Sequence, residues 1–442
     1  MRRRALVSVC AGLLAMPLLV DRAAADETKL DGQISLRGLY SADNADGPAV
    51  GILFLDTDAA ADGLTTLGLR LGLDATFLLD ATDARERRFG QTESIDQVRQ
   101  LYVEQPELFG VLDVAVGRRI IRESGNGWVD GVDAELNLSP EATVGLYAGL
   151  SPDPIDYSLT LERQAGGVYG TWRNGRFDVE GGYNAEVKDK QLDRHYAFNR
   201  MHLRVTDRLV VATYLIADFA VEPDVTTLLG SVDYTPIDPV NLTLNVSRYS
   251  TQQYRDRVIY RNVIEPNQAL ILGDEVIRNV YDRARLSASL RLGRWYHYQS
   301  VEYKHRSQDD RHAWLYTIGL RDDDLFGLGT RADLQAQIRN NFQSDSALIA
   351  LDLEQDLSST FSVNARVTFF DGRTIDVETE QARAFDEAAR VLLMGLTLDW
   401  RASRSHRFDL SYDGVYEAEL QDARNQGDLF VHTVMGRYRW LF

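Results

Sequence analysis

From about residue 26 to the end of the chain, apolar and polar residues alternate with period two, and no helical periodicity interrupts them. Successive side chains of a β-strand point to opposite faces, so this pattern predicts strands with one apolar and one polar face. Leu67, Leu69, Leu71, Leu73, Ala75, Phe77 and Leu79 fall on one face, and Gly68, Arg70, Gly72, Asp74 and Thr76 on the other. Phe361, Val363, Ala365, Val367 and Phe369 oppose Ser362, Asn364, Arg366 and Thr368 in the same way. A soluble sandwich alternates too. Two features favour a membrane barrel: the runs reach the length a tilted membrane strand needs, and the polar face carries charges even mid-strand, as a wet lumen allows.

The links alternate in length. Short ones fall at Pro106–Gly110, Ser139–Ala142, Asn174-Gly175, Thr206–Arg208, Pro236–Pro239, Gly293-Arg294, Ser358–Thr360 and Arg401–Ser405. Longer ones fall between them, at 81–95, 120–129, 151–163, 250–280, 371–388 and 419–427. Bacterial barrels have short turns on the periplasmic side and longer loops outside, which gives each link a side. The count comes out even only if 50–57 is a strand. The reading is then twenty-two strands, from 28–40 through 65–80 to 428–442; merging weak hairpins gives eighteen or twenty.

The N-terminus adds an export signal: Arg2, Arg3 and Arg4, an apolar stretch from Ala5 to Val20, and the small-x-small site Ala23-Ala24-Ala25. Cleavage after Ala25 leaves 417 residues, none of them cysteine, since Cys10 leaves with the signal. Disulfides and thiolate metal sites are thereby excluded. Four arginines and one aspartate leave as well, so the net charge moves from −18 to −21. So acidic a chain is a poor nucleic-acid binder. No later segment is apolar for 18 residues, so a membrane role requires a closed barrel. Two domains follow: residues 1–25, the signal peptide, and residues 26–442, the barrel. The expected fold is all-β, a transmembrane antiparallel up-and-down β-barrel of about 22 strands (range 18–22) behind an N-terminal signal peptide.

The last strand carries Val434, Gly436, Tyr438, Trp440 and Phe442 on one face. A C-terminal Phe preceded by alternating aromatics resembles the assembly signal of Gram-negative outer-membrane β-barrel proteins. That resemblance implies that the barrel-assembly machinery reads Gly436, Tyr438, Trp440 and Phe442, and that lipids and lipopolysaccharide surround the barrel. A local likeness lies at 98–138: the strand Val98–Glu104, then Val114–Arg118 with its Gly-Arg, then Asn126–Val132 with Asp130-Gly131. This resembles a hairpin of alginate-export-type porins. Arg119 departs from the Gln often found after Gly-Arg in those barrels.

Strand parity assigns the candidate functional surface, the lumen. Its arginines include Arg283, Arg285, Arg291, Arg331, Arg339, Arg366 and Arg407, and its acids include Asp333 and Asp409. Arginine presents a rigid fork suited to carboxylate and phosphate, and charged rings set pore selectivity. A wall-stiffening Arg–carboxylate network is the plainer alternative. Arg283, Arg285 and Arg291 stand out because no acid of their own strand shares their face. Enzyme chemistry has little support: Gly-x-Ser-x-Gly is absent, and none of the seven histidines sits in a nucleophile motif. His305 and His312 flank residues 306–311, which include Asp309 and Asp310, and read more simply as a solvated hairpin tip than as a metal site. Asp322-Asp323-Asp324 falls at an expected periplasmic turn, where Ca²⁺ or plain turn chemistry are both open. Residues 374–390 suggest a short helix folded over or into the pore. No cofactor, metal or nucleic-acid partner is expected. The leading expectation is a porin for polar, including anionic, solutes. A non-conducting barrel that sheaths or scaffolds a periplasmic or surface partner is the rival, and an outer-membrane enzyme the third reading.

Overall fold

The computed structural model describes residues 29–44, 49–65, 68–80, 94–153, 157–219, 223–250, 280–342, 344–374, 388–422 and 425–442. The signal segment with Ala23 and Ala25 lies outside them. So do nearly all of the links 81–95 and 250–280 and residues 375–387, the greater part of the expected 374–390 helix.

Twenty-two strands run in chain order. They are β1 (Lys29–Asp43), β2 (Val50–Asp62), β3 (Arg70–Asp80), β4 (Ser94–Leu108), β5 (Leu112–Ile121), β6 (Gly127–Ser139), β7 (Ala142–Leu150), β8 (Arg163–Arg173), β9 (Phe177–Lys188), β10 (Gln191–Thr206), β11 (Leu209–Asp218), β12 (Asp224–Ile237), β13 (Val240–Ser250), β14 (Val280–Leu292), β15 (Trp295–Arg306), β16 (Arg311–Leu325), β17 (Thr330–Asn340), β18 (Ser344–Asp356), β19 (Phe361–Thr374), β20 (Ala388–Arg401), β21 (His406–Asp422) and β22 (Asn425–Leu441). Each pairs antiparallel with the next, and β1 pairs with β22 from Gln33↔Leu441 to Asp43↔Val431. The sheet therefore has no edge, which satisfies backbone groups that lipid could not. The seam ends in a backbone latch: Gly32 N donates to Phe442 O (3.1 Å) and Phe442 N to Gly32 O (3.2 Å).

Asn184 on β9 donates through Nδ2 to the carbonyl of Ser124, in the link between β5 and β6 (2.8 Å). A bond that skips three strands crosses the concave side, so the face of Asn184 is the lumen. The opposite face carries an apolar belt around the sheet. Leu36, Val116, Leu146, Leu286, Ile338 and Leu410 lie on it, between 44% and 67% exposed. Few large apolar side chains are buried by comparison, so this belt is the surface that a bilayer covers. Aromatic girdles border it. Trp400, Phe408 and Tyr438 pack together at the rim that carries both chain ends (ring centres 5.2 and 5.0 Å apart), and Tyr303 and Trp314 at the far rim (4.8 Å). The fold is thus the expected transmembrane barrel, with short turns at the terminal rim.

The parity argument that made 50–57 a strand holds, but β2 continues to Asp62 and β3 begins only at Arg70. Leu69 lies in the link, and Leu67 lies outside the described residues. The run Ala59–Ala61 carries little strand signal of its own. It joins the ladder because Leu30, Asp31 and Gly32 pair with it across the seam side. At the other boundary in doubt, Asp322–Asp324 belong to β16, and the turn is 326–329.

Candidate functional site in the lumen

A short 3-10 turn, Arg122–Ser124, folds inward at the far rim. Ser124 is fully buried and Asn184 nearly so. Asn184 also accepts a hydrogen bond from the Tyr147 hydroxyl (2.6 Å). Below this turn, Ile121, Val129, Tyr147, Tyr169, Tyr196, Phe198 and Ile216 pack into an apolar cluster on one side of the lumen. Small residues make room for the rings: a Cβ at Gly145 would overlap the Tyr169 ring, which lies across it. The sequence placed a link at 120–129 and looked for the narrowing segment near 374–390. Among the described residues, the inward element is this turn of five residues, 122–126.

Charged pairs cover much of the remaining lumenal wall. Arg119 reaches Asp133 (3.1 Å) and Glu104 (3.9 Å), and Arg70 reaches Glu104 (3.8 Å) and Asp62 (2.5 Å). The Tyr169 hydroxyl donates to Asp133 (2.9 Å) and Glu135 (3.2 Å). Arg119, which breaks the porin-like hairpin pattern, is thus the hub of a network on β4, β5 and β6. Buried Glu180 is held by Arg173 (2.9 Å) and by Arg200. Sequence parity marked the lumenal face but missed these hubs, because a pair takes one member from each of two strands.

The expected site residues divide into two groups. Arg283 is paired with buried Glu302 of β15 (2.5 Å), which Lys304 also touches (3.1 Å). Arg291 faces Asp323 of β16 (3.4 Å). No acid of β14 shares the face of these arginines, but acids of β15 and β16 balance two of the three, which one strand's parity does not reveal. Arg331 bonds Glu354 (2.6 Å) and Arg366 bonds Asp352 (2.5 Å). Asp333 accepts from the Tyr298 hydroxyl (2.9 Å), and Asp409 holds Arg439 (2.9 Å). Asp323 lies near Arg291, Arg321 (2.9 Å) and Arg331 (3.5 Å), and Asp322 near Arg294 (3.4 Å). Arginines thus pair with two of the three carboxylates, and Asp324 Oδ1 accepts from the backbone N of Gly329 (2.7 Å).

The second group has no carboxylate within ion-pair distance among the described residues: Arg285, Arg339 and Arg407. Arg285 donates to the Ser300 hydroxyl (3.1 Å), and its buried Nε has no hydrogen-bond partner among the described residues. Two recesses meet at it. One, of about 530 Å³, is lined by Arg200, His202, Tyr214, Ser231, Asn245, Ser247, Arg283 and Arg285. The other, of about 290 Å³, adds Asn241, Thr243, Ser287, Tyr298 and Ser300. Together they form a strip across β10–β15, rich in hydroxyl and amide donors and centred on one guanidinium that no acid balances. Arg339 stands next to the far end of β17, and Arg407 next to the terminal end of β21. The aromatic face of β22 points outward: Tyr438 shares a hydrogen bond with His406 (2.8 Å), and Trp440 packs on Phe442 (5.0 Å). Gly436 lies on that same outward face, with open space beside it.

No protein-family model and no curated protein sequence matches the chain. Three solved structures of similar shape are as follows. OccAB2 of Acinetobacter baumannii is 10% identical with a TM-score of 0.47, over 94% of this chain and 98% of that one. OccK9 (OpdG) of Pseudomonas aeruginosa is 11% identical with a TM-score of 0.46, over 94% and 99%. OpdK of the same organism, solved with vanillate, is 10% identical with a TM-score of 0.45, over 94% and 99%.

Proposed function

We propose that this protein is an outer-membrane channel through which small polar solutes, anionic ones among them, diffuse passively. The observation that carries the reading is the β10–β15 strip, where Arg285 serves two lumenal recesses without an acid partner. An unbalanced guanidinium amid hydroxyl and amide donors attracts a carboxylate or phosphate, while nearby pairs such as Arg283–Glu302 keep the wall close to neutral. Arg339, Arg285 and Arg407 stand at three depths between the rims, so an anion meets an uncompensated cation near entry, mid-path and exit. A barrel of this strand number encloses more space than its side chains fill, even with the Tyr147–Phe198 cluster along one wall.

The cellular setting belongs to the same proposal. Residues 1–25 act as a signal peptide cleaved after Ala25, which N-terminal sequencing of the purified protein checks by showing Asp26 first. Gly436, Tyr438, Trp440 and Phe442 serve the barrel-assembly machinery, and lipids and lipopolysaccharide contact the apolar belt. The far rim faces the outside. The direct test is reconstitution in planar bilayers under a salt gradient. Stepwise conductance whose reversal potential moves toward cations in Arg285→Glu supports the proposal. Folded, inserted barrels that stay silent favour the sheath for a partner instead.

A further inference from the structure

Four histidines on the outward face share Nδ1 with a tyrosine hydroxyl of a neighbouring strand. The pairs are Tyr183–His195 (2.6 Å), Tyr303–His312 (2.6 Å), Tyr438–His406 (2.8 Å) and Tyr412–His432 (2.8 Å). Among the described residues, only the far-rim hairpin of β15 and β16 adds a second imidazole and a carboxylate to such a pair. His305 and His312 are directly opposed in the ladder, with ring centres 5.0 Å apart and planes 24° from parallel. The tight turn after Arg306 brings Asp310 back, with Oδ1 2.9 Å from His305 Nε2. One ligand atom from each of the three residues lies within 4.8 Å of the other two.

We propose that His305, Asp310 and His312 form a binding site for a zinc-class divalent cation on the outward side of the far rim. Two imidazoles and one carboxylate suit Zn²⁺, Cu²⁺ or Ni²⁺ rather than Ca²⁺ or Mg²⁺, which prefer all-oxygen sets. A tetrahedral zinc with bonds of about 2.0–2.1 Å sets its ligand atoms about 3.3 Å apart. Small rotations at this exposed tip reach that spacing, while the ladder holds both backbones in register. The Tyr303 hydroxyl occupies Nδ1 of His312, which leaves Nε2 for the metal and orients the ring.

Neighbouring charges leave the three ligands free to act. Asp309 is bonded to Arg306 and lies 3.3 Å from Arg311, so it occupies both cations of the turn. Asp282, 4.0 Å from His305 Nδ1, is bonded to Arg248. Among the described residues, Asp310 has no arginine or lysine partner, and it is largely exposed (87%). Three protein ligands leave one coordination position to solvent, as in zinc sites that exchange their outer ligand.

The test is calorimetric titration of the tag-free barrel in detergent with Zn²⁺, and with Ca²⁺ in parallel. The expected result is one Zn²⁺ per barrel and no Ca²⁺ binding at the same concentration. Zn²⁺ binding should vanish in His305→Ala and His312→Ala and weaken about tenfold or more in Tyr303→Phe. Co²⁺ as an optical probe should give the visible band of a four-coordinate site, lost in His312→Ala. Heat-modifiable gel mobility reports that each variant is folded, and Asp310→Asn, a change in the turn alone, should weaken the site without touching either strand. No Zn²⁺ binding by the unaltered barrel overturns the proposal. Binding that survives in the His305→Ala, His312→Ala double variant does so too.

Discussion

At the scale of single residues, charge balance separates arginines that the sequence could not tell apart. Arg283 and Arg285 lie two positions apart on the same face, yet one is neutralised by Glu302 and the other only accepted by Ser300. Removing the pair with Arg283→Gln and Glu302→Gln together takes away no net charge, so the reversal potential should hardly move. Arg285→Gln removes a charge that nothing balances and should shift it toward cations. Equal shifts in the two variants would show that Arg285 has no special place in the path. Asn184 offers a second residue-scale test. It joins Tyr147 to Ser124 while only 1% exposed, so Asn184→Ala removes the acceptor of the Tyr147 hydroxyl and the donor to the Ser124 carbonyl, at a cost of about 1–3 kcal/mol each. The inward turn should loosen, and single-channel recordings should show larger or noisier conductance. Recordings unchanged from the unaltered protein would mean that this turn does not narrow the path.

At the scale of elements, much of the architecture was legible because alternation is a local property. Phe361–Phe369 reads as a strand from its own residues, and the structure pairs it residue by residue with β18 and β20. Legibility failed where an element is held by something distant in sequence. Ala59–Ala61 joins β2 through β1, and Asp322–Asp324 stays in β16 with arginines of β14, β17 and the 293–294 turn around it. The turn at 122–126 points inward because Asn184 and Phe198, three and four strands on, receive it. The Gly–Tyr spacing on β7 and β8 was a usable signal: Gly145 leaves the floor on which Tyr169 lies. Gly145→Val should displace that ring from Asp133 and Glu135 and cost about 1–3 kcal/mol of overpacking, seen as a lower temperature for loss of the heat-modifiable form. A variant as heat-resistant as the unaltered barrel would contradict the packing described. At the seam, deleting Phe442 removes two backbone bonds to Gly32. Barrel yield in the outer membrane should fall, and full yield would show that neither the latch nor the terminal aromatic matters for assembly.

At the scale of the whole molecule, a closed sheet with an apolar outside and a charged inside follows from parity plus closure alone. The even strand count follows from the alternating lengths of the links, which make Val50 the start of a strand without reference to a ladder partner. The lumenal site was only partly legible. Parity gave its face, but which arginines keep a free charge depends on shear between neighbouring strands, and no single strand encodes that. The central claim is that this lumen conducts and that its mid-path cation favours anions. Single-channel recording in a planar bilayer under a potassium chloride gradient tests it most directly. The account predicts ohmic steps, and a reversal potential that moves toward the potassium value when Arg285 is changed to Glu. Inserted, heat-modifiable barrels that pass no current, or a reversal potential indifferent to Arg285→Glu, would contradict it.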